Sequence, residues 1–314
     1  MKISSPEMNK NNAIVVCCTP NWLAPAACTL KSCHDHGASA FADFYVISLG
    51  LSALDRQQFQ KFLDKNNFSA TLVEGKLPEY LVAKSPKRYS AATYLRLTLN
   101  HILPPNYNRV LYLDSDVLAC APLKSLFEQD LSGKCLGAVE DFQSFPNWRG
   151  GDAKHPKKIG LPSGARYFNA GMLLLDWQQT LQKNMLQKCI DLILEKLVAN
   201  QRFKFHDQDA LNLVFAKDWQ RLPQRYNVIS VLSDYFQDGI VIRHFTKDHK
   251  PWHNVRIIGN SEAREFYRRA LADSPWASFF ESGRRRFAPI ENLGITLRRK
   301  DKKTRARFVR YSQT

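Results

Sequence analysis

The chain has 314 residues, of which 44% are hydrophobic and 24% are charged. This composition is typical of a globular protein with one large or two smaller domains, and it excludes an intrinsically disordered chain and a collagen-like repeat. The 45 lysine and arginine residues outnumber the 29 aspartate and glutamate residues, so the formal net charge is +16. A charge of this size favours partners that carry phosphate, such as nucleotides, nucleic acids or an anionic membrane.

The start of the chain and its cysteines indicate the cellular compartment in which the protein is found. Residues 1–12 are polar and lack the apolar run of a secretory signal, and no segment reaches the roughly 18 apolar residues of a membrane-spanning helix. The seven cysteines include no C-x-x-C pair, so we expect small core residues in a reducing environment. The sequence therefore predicts a cytoplasmic protein that does not span a bilayer.

Strand patterns alternate with helical patterns along most of the chain, which predicts an α/β domain with a parallel or mixed sheet flanked by helices. The predicted strands are residues 13–18, 43–49, 109–113, 136–140, 172–175 and 240–244. The predicted helices are residues 22–33, 91–102, 177–199, 210–215 and 263–271. A further helix begins at a Ser52-x-x-Asp55 capping box and runs to about Lys65. We expect a disordered polar lead over residues 1–12, one folded domain over 13–282 and a basic amphipathic tail over 283–314.

The tail has a basic and periodic sequence. Its eleven lysine and arginine residues and two acidic residues contribute +9 of the net charge of +16. Phe287, Ile290, Leu293 and Leu297 recur at helical spacing beside a basic flank, which predicts an amphipathic helix that lies on an anionic membrane surface. A solvated, disordered tail is the alternative.

The segment 109–123 contains an apolar strand that ends in Asp114-Ser115-Asp116. Residues two apart in an extended chain point to the same side, so both carboxylates can face one point at the carboxyl end of a strand, where open α/β sheets bind ligands. Oxygen ligands suit Mg²⁺ or Mn²⁺, and such a metal can hold a diphosphate. A turn capped by the two aspartates is the alternative for so short a motif.

The motif Tyr167-Phe168-Asn169-Ala170-Gly171 precedes the predicted strand at 172–175. Small residues at a strand edge let a ligand approach the backbone, and the amide of Asn169 offers both a donor and an acceptor to sugar hydroxyls. A simple turn before the strand is the alternative.

The motif His206-Asp207-Gln208-Asp209 opens the predicted helix at 210–215. Acidic residues in a first helical turn commonly complement the helix dipole. The same polar cluster could instead line a sugar pocket.

The segment 241–253 is a strand that runs into a polar loop with His244, Lys250 and Trp252. Imidazole is an acceptable ligand for Mn²⁺ beside carboxylates, and lysine is a natural phosphate contact. A histidine at a strand end often has a structural role, but three histidines and two lysines in one loop favour a ligand site.

With these four motifs in this order, the chain resembles the family 8 glycosyltransferases over about residues 13 to 275, and bacterial lipopolysaccharide hexosyltransferases in particular. The resemblance implies a single nucleotide-sugar-binding domain with a Rossmann-like sheet of the GT-A type. It also implies a retaining, metal-dependent hexosyltransferase that moves galactose or glucose from a UDP-sugar to a lipopolysaccharide-type glycan. Such an enzyme works on the cytoplasmic face of the inner membrane, where the basic tail would attach it.

The resemblance also assigns site residues. It implies that Asp114, Asp116 and His244 are the protein ligands of Mn²⁺ or Mg²⁺. The residues that it places around the UDP-sugar are Cys17, Thr19, Asn21, Trp22, Arg96, Asp114, Ser115 and Lys250. The residues that it places around the transferred sugar, with catalytic roles, are Asp141, Asn169, Asp207 and Gln208.

Three positions depart from the pattern of the family. Thr19 stands where relatives often have an aspartate, and Trp22 replaces a tyrosine that stacks on the uracil base. Lys247 stands where a glycine lets the loop approach the diphosphate. The metal ligands that the resemblance implies are all present.

Gln208 occupies the debated nucleophile position of the family. A neutral amide is a poor nucleophile, so we favour front-face attack, with Gln208 steadying the sugar cation, over double displacement.

Two other functional classes stay open at the level of sequence. A basic nucleic-acid-binding protein would account for the net charge, although the charge is concentrated in the tail while the aspartates lie at the predicted ligand edge. A metal-dependent nucleotide-sugar hydrolase or nucleotidyltransferase would also use a strand-end carboxylate pair, but the four motifs together favour sugar transfer. We therefore expect a nucleotide sugar, a glycan or glycolipid acceptor and an anionic membrane surface as partners, and no nucleic acid.

Overall fold

The computed structural model describes residues 10–84, 91–141, 154–230, 232, 239–246, 250–252 and 261–282. Its strands are β1 (Asn12–Cys18), β2 (Asp43–Ser48), β3 (Thr71–Glu74), β4 (Arg109–Leu113), β5 (Val117–Ala119), β6 (Leu136–Glu140), β7 (Phe168–Asp176), β8 (Trp219–Arg221), β9 (Val228–Ile229) and β10 (Ile242–His244). Its α-helices are α1 (Leu23–Asp35), α2 (Ala53–Asn66), α3 (Glu79–Lys84), α4 (Lys124–Phe127), α5 (His155–Lys158), α6 (Trp177–Gln182), α7 (Met185–Val198), α8 (His206–Val214), α9 (Ser261–Leu271) and α10 (Ala277–Ser282). The 3₁₀ helices are Pro20–Trp22, Ala38–Ala40, Ala91–His101 and Gln224–Tyr226.

A seven-stranded mixed sheet in the order β3-β2-β1-β4-β7-β6-β8 is the centre of the fold. Strands β1 to β4 pair in parallel with one another, whereas β7 runs antiparallel to both β4 and β6. Alternate side chains of β1 enter two different cores: Ile14 and Val16 pack with α1 and α2, and Val15 and Cys17 pack with Ala91–His101 and α7. Helical elements therefore cover both faces, as is usual for a sheet with a parallel centre.

A small second sheet in the order β5-β10-β9 lies beside the carboxyl end of β4. β10 pairs antiparallel with β5 and parallel with β9, and this register sets His244 opposite Val117. The backbone N–H of Phe245 donates to the carbonyl of Asp116 at 2.9 Å. Chain segments more than one hundred residues apart are thus fixed side by side at the edge where ligands bind in open α/β sheets.

Most of the predicted elements are confirmed. All six predicted strands are present, the Ser52–Asp55 capping box forms at the start of α2, and the mixed α/β fold is as expected. The single helix predicted for residues 177–199 is wrong, because Asn184 has a left-handed φ of 51° that separates α6 from α7. The predicted helix at 91–102 is a tighter 3₁₀ helix over Ala91–His101, and most of its residues are buried.

The strands that the sequence pattern missed are short. β3, β5, β8 and β9 have between two and four residues, which is too few to show a period of two. The seven cysteines are free thiols, and all except Cys120 are buried, as expected for small core residues.

In the part of the chain that the structure describes, no helix is both long and apolar enough to cross a bilayer. The tail at 283–314, with its predicted membrane-binding helix, lies outside the described residues, and so does Lys247.

Candidate active site

Three side chains predicted as metal ligands meet at the junction of the two sheets. Asp114 follows the last residue of β4, Asp116 precedes β5, and His244 is the last residue of β10. His244 Nε2 lies 3.6 Å from Asp114 Oδ2 and 3.3 Å from Asp116 Oδ1, and one ligand atom from each residue lies within 4.8 Å of the others. Two carboxylates and an imidazole are a donor set that fits Mn²⁺.

Arg96 holds the carboxylate of Asp114 in place. Its Nη2 donates to Asp114 Oδ1 at 2.9 Å, and the hydroxyl of Tyr112 donates to the same oxygen at 2.8 Å. Oδ2 is the atom of Asp114 that faces His244. Burial alone would lower the pKa of Arg96, but Asp114 and Asp207 more than offset this effect, so the pKa lies above its ordinary value and the guanidinium is charged.

Asp116 is paired with a buried lysine. Lys250 donates from Nζ to Asp116 Oδ2 and to the carbonyl of Phe245. Burial alone would raise the pKa of Asp116, but the ammonium of Lys250, together with the His244 ring when it is protonated, outweighs burial and holds the pKa below its ordinary value. Asp116 is therefore a carboxylate at neutral pH, and Lys250 lies directly beside the candidate metal ligands.

Three of the four residues predicted around the sugar form one hydrogen-bonded network. Asp141 Oδ2 accepts from Asn169 Nδ2 at 3.0 Å and from Gln208 Nε2 at 3.3 Å. Gln208 Nε2 also lies 3.1 Å from the hydroxyl of Tyr167, and Gln208 Oε1 accepts from the N–H of Ala170 at 2.9 Å. Both the oxygen and the NH₂ group of the Gln208 amide are thus hydrogen-bonded.

Asp207, the fourth residue, points toward Arg96. Its Oδ2 lies 3.0 Å from Arg96 Nε, and both side chains are buried. Burial raises the pKa of Asp207 to about 6, against the lowering effect of Arg96. Asp207 therefore joins the sugar-side motif to the arginine that orients Asp114.

Asp209, in the same motif, has a structural role. Its side chain is fully buried and accepts from the hydroxyl of Tyr167 at 2.6 Å and from the N–H of Phe205 at 3.0 Å. His155 Nε2 lies 2.7 Å from it. Asp209 thus anchors α5 and Tyr167 to the start of α8.

Four of the residues predicted around the nucleotide, Cys17, Thr19, Asn21 and Trp22, lie at and after the carboxyl end of β1. Cys17 is in the strand itself, and Thr19 precedes the 3₁₀ helix Pro20–Trp22 that contains Asn21. The Trp22 ring lies 5.7 Å from Lys250 Nζ. The base side and the phosphate side of the expected nucleotide site are therefore adjacent.

Trp22 also links the start of the chain to its later part, since its ring meets the ring of Trp252 edge to face at 5.7 Å. Trp252 is buried against Tyr267.

Ser115 lies in the turn between the two aspartates, and its carbonyl oxygen lies 3.3 Å from Thr29 Oγ1.

Gly171 lies directly against the imidazole of His244. A Cβ at this position would lie 2.1 Å from His244 Cε1. The missing side chain thus makes room for the His244 imidazole, which the tertiary structure brings next to this strand.

Sequence reasoning missed two residues of the site, Tyr112 and Asn227. Tyr112 is part of an apolar strand pattern, so its hydroxyl contact with Asp114 has no local signal. Asn227 follows the 3₁₀ helix Gln224–Tyr226 and bridges Asn169 and His244, at 2.8 Å and 3.0 Å. A single asparagine before a two-residue strand has no pattern that would single it out.

Two curated proteins are similar to this chain in sequence. Lipopolysaccharide 1,2-glucosyltransferase of Escherichia coli K12 is 25% identical over 246 residues, which cover 74% of this chain and 70% of that protein. Lipopolysaccharide 1,3-galactosyltransferase of Salmonella typhimurium is 27% identical over 203 residues, or 62% of this chain and 58% of that protein.

A solved structure shares the fold. The galactosyltransferase LgtC, in complex with donor and acceptor sugar analogs, matches 90% of this chain and 99% of its own with a TM-score of 0.67 at 21% identity. The GT-A-like sheet flanked by helices is thus confirmed. The family model of glycosyl transferase family 8 matches residues 13–256, which is more than half of the chain and confirms the resemblance that the four motifs predicted. The chain therefore belongs to glycosyl transferase family 8.

Proposed function

We propose that this glycosyltransferase is a retaining, metal-dependent hexosyltransferase that moves galactose or glucose from a UDP-sugar to a lipopolysaccharide-type glycan. The observation that carries the proposal is the convergence of Asp114, Asp116 and His244 within 4.8 Å. Two hydrogen bonds through Asn227 join His244 to Asn169 and its network. The names of the relatives, a lipopolysaccharide 1,2-glucosyltransferase and a 1,3-galactosyltransferase, support the hexose and the acceptor class. We favour galactose on the resemblance alone.

The charges at the sheet junction support a diphosphate leaving group. Mn²⁺ or Mg²⁺ held by Asp114, Asp116 and His244 would supply positive charge against the developing charge of UDP. Lys250 is buried beside Asp116, and in this proposal its ammonium contacts the β-phosphate. Arg96 orients the Asp114 side chain through a 2.9 Å hydrogen bond.

We assign the nucleoside to the end of β1. Trp22 stacks on the uracil base in this proposal, and Cys17, Thr19 and Asn21 line the base and ribose. The support is the position of Trp22 only 5.7 Å from the Lys250 ammonium, a spacing that suits a base next to its own phosphates. Ser115, between the two metal-binding aspartates, is assigned to the ribose side.

We assign the transferred sugar to Asp141, Asn169, Asp207 and Gln208. Their carboxylate and amide groups match sugar hydroxyls, which both donate and accept. As the bond between the sugar and UDP breaks, the sugar becomes oxocarbenium-like, and the Asp141 carboxylate and the Gln208 amide dipole steady it. Galactose and glucose differ at one hydroxyl, so small shifts of these groups decide between them.

Front-face attack is the form of retention that the site favours. Gln208 is an uncharged amide whose oxygen accepts from Ala170 N–H at 2.9 Å and whose NH₂ group donates to Asp141 at 3.3 Å, which makes it a poor nucleophile. The acceptor hydroxyl would then attack the anomeric carbon on the face that UDP leaves, and its proton would pass to the leaving phosphate. A covalent glycosyl adduct on Gln208, detected by mass spectrometry, would contradict this assignment.

Calorimetry of UDP-galactose and UDP-glucose with and without Mn²⁺ tests the proposed function. We expect metal-dependent binding to the wild type, its loss in Asp114→Ala, and wild-type binding in Asp64→Ala, which removes an exposed carboxylate of α2. The tighter of the two sugars identifies the donor. Binding of neither sugar under any metal condition would overturn the proposal, and salt-sensitive binding of an RNA oligonucleotide instead would favour the nucleic-acid alternative.

We also propose that residues 283–314 attach the enzyme to the cytoplasmic face of an anionic membrane. Only the sequence supports this step: eleven basic residues flank an apolar row with helical spacing. Each lysine or arginine near such a surface contributes about 1 kcal/mol. The full chain should float with phosphatidylglycerol vesicles and a chain of residues 1–282 should not; equal flotation would refute the attachment.

A further inference from the structure

A row of hydrogen bonds joins the sugar-side carboxylate of Asp141 to the metal-side imidazole of His244. Asn169 donates from Nδ2 to Asp141 Oδ2 at 3.0 Å and accepts at Oδ1 from Asn227 Nδ2 at 2.8 Å. Asn227 Oδ1 lies 3.0 Å from His244 Nδ1. Asn227 and His244 are 1% and 4% exposed, so the loss of either partner would leave a buried polar group unsatisfied.

Which atom donates and which accepts in each of these hydrogen bonds follows from neighbouring groups that can only donate or only accept. The backbone N–H of Gly171 donates to Asn169 Oδ1 at 3.0 Å, which identifies that atom as the oxygen. An ionised Asp141 can only accept, and it takes its hydrogen from the NH₂ group of Asn169. Asn227 therefore presents its own NH₂ group to Asn169 and its oxygen to His244. An amide oxygen can only accept, so His244 Nδ1 carries a hydrogen.

This hydrogen decides what His244 offers to a metal. With Nδ1 protonated, the neutral imidazole keeps its lone pair on Nε2, which lies 3.3 Å from Asp116 Oδ1 and 3.6 Å from Asp114 Oδ2. Three acceptor atoms then converge, and a cation between them removes their mutual repulsion. The other neutral tautomer would point an N–H at the carboxylates and offer no lone pair on that side.

The packing around the imidazole supports a fixed ring position. Gly171 lacks the Cβ that would lie 2.6 Å from His244 Nδ1, and Ser230 Oγ lies 3.3 Å from the carbonyl of His244. The register of β10 against β5 sets the backbone of the residue. These contacts do not decide which ring nitrogen of His244 carries the hydrogen. The hydrogen bond with Asn227 decides this.

We propose that Asn227 is a positioning residue that holds His244 in the Nδ1-protonated tautomer and so aims Nε2 at a divalent cation between Asp114 and Asp116. This inference rests on the proposed metal-dependent function and adds to it a residue outside the four sequence motifs. Outer partners of metal-bound histidines commonly act in this way. Because Asn169 belongs to the same row, Asn227 also orients the amide that faces Asp141.

Two substitutions separate the contacts of Asn227. Asn227→Asp keeps an acceptor for His244 Nδ1 but loses the donor to Asn169, whereas Asn227→Leu has a similar size and keeps neither. We expect Asn227→Leu to lower the affinity for Mn²⁺ by about 10- to 100-fold, and Asn227→Asp to keep it close to that of the wild type. The matched control is Asn12→Leu, because Asn12 donates to the carbonyl of Phe41 at the opposite end of β1.

The tautomer can be measured without metal. In protein with ¹⁵N-labelled histidine, two-dimensional NMR distinguishes the protonated from the unprotonated ring nitrogen, and the His244→Gln variant identifies the signals of His244. Above the titration range of histidine, we expect a protonated Nδ1 and a bare Nε2 in the wild type and in Asn227→Asp, and a substantial Nε2–H population in Asn227→Leu. Calorimetry with MnCl₂ alone then measures the metal affinity of the same samples.

Two results would overturn the inference: a wild type whose neutral His244 carries its hydrogen on Nε2, or an Asn227→Leu variant with wild-type tautomer and wild-type Mn²⁺ affinity. The measurement on the wild type needs no substitution, so it is decisive even if Asn227→Leu does not fold. A wild type with the expected tautomer that binds no Mn²⁺ would overturn the metal dependence of the proposed function. The two failures are therefore distinguishable.

Discussion

Arg96 and Asp207 form an ion pair at 3.0 Å in which the two side chains are only 7% and 5% exposed. The same guanidinium also binds Asp114 at 2.9 Å, so one buried cation joins the sugar-side and the metal-side motifs. The pair joins the 3₁₀ helix Ala91–His101 to the start of α8, elements that are far apart in sequence. Arg96 thus combines an expected role at the donor with a structural role that the sequence motifs did not reveal.

Arg96→Met should be strongly destabilising, because it leaves the buried Asp207 carboxylate without its cation. We expect a loss of about 3 to 5 kcal/mol in the free energy of unfolding, measured by urea titration. The control is Arg56→Met, which removes the exposed ion pair with Glu74 and should cost less than about 1 kcal/mol. Equal losses in the two variants would contradict the role assigned to Arg96.

The raised pKa of Asp207, about 6 against an ordinary 3.8, predicts a specific pH dependence of stability. Between these two values the folded state binds more protons at Asp207 than the unfolded state, so this group favours folding at low pH, and the contribution is lost as the pH rises through 6. We expect the unfolding free energy of the wild type, relative to Asp207→Asn, to fall by about 3 kcal/mol between about pH 4 and 7.

Urea titrations at several pH values measure that difference. Asp64→Asn is the matched control, because Asp64 is exposed on α2, and its difference from the wild type should stay nearly constant. If the unfolding free energy of the wild type, relative to Asp207→Asn, instead rises with pH, the folded protein stabilises the ionised carboxyl of Asp207. That result would contradict the prediction.

Gly171→Ala should displace His244, because the new Cβ would lie 2.1 Å from Cε1 of its imidazole. We expect at least a 10-fold loss of Mn²⁺ affinity by calorimetry and a stability loss of about 1 to 3 kcal/mol from overpacking. Gly137→Ala is the control: its Cβ would meet Leu131 and Leu222 at 2.7 and 3.0 Å. Gly137→Ala should lower the free energy of unfolding by a similar amount and leave the Mn²⁺ affinity unchanged. An equal loss of Mn²⁺ affinity in both variants would point to general unfolding.

Gln208→Ala should lower kcat by roughly 10²-fold, since it removes an amide dipole beside the developing sugar cation. The product should keep the retained anomeric configuration, because front-face attack needs no nucleophile at this position. NMR of the product gives the configuration, and initial rates give kcat. Gln60→Ala, on the exposed face of α2, should have wild-type kcat. An inverted product from Gln208→Ala would refute the front-face mechanism.

Local sequence was sufficient for the framework of the site. The apolar run before Asp114, the Ser52–Asp55 capping box and the alternation of strands and helices all act over a few residues, where backbone periodicity and capping decide the structure. They predicted the α/β sheet and all six strands, although β7 begins at Phe168, four residues before its predicted start, and so includes most of the motif that was expected to precede it. The ordered motifs also identified the family, because chemistry at strand ends requires particular side chains.

Contacts between distant residues were decided only by the tertiary structure. The pairing of β10 with β5 brings His244 to Asp116, and the positions of Asn227 and Gly171 make sense only beside that imidazole. Likewise, Asn184 ends a helix that its periodicity would have continued. Strand order, register and buried polar partners depend on which surfaces meet after folding, and side-chain periodicity along one segment does not contain that information.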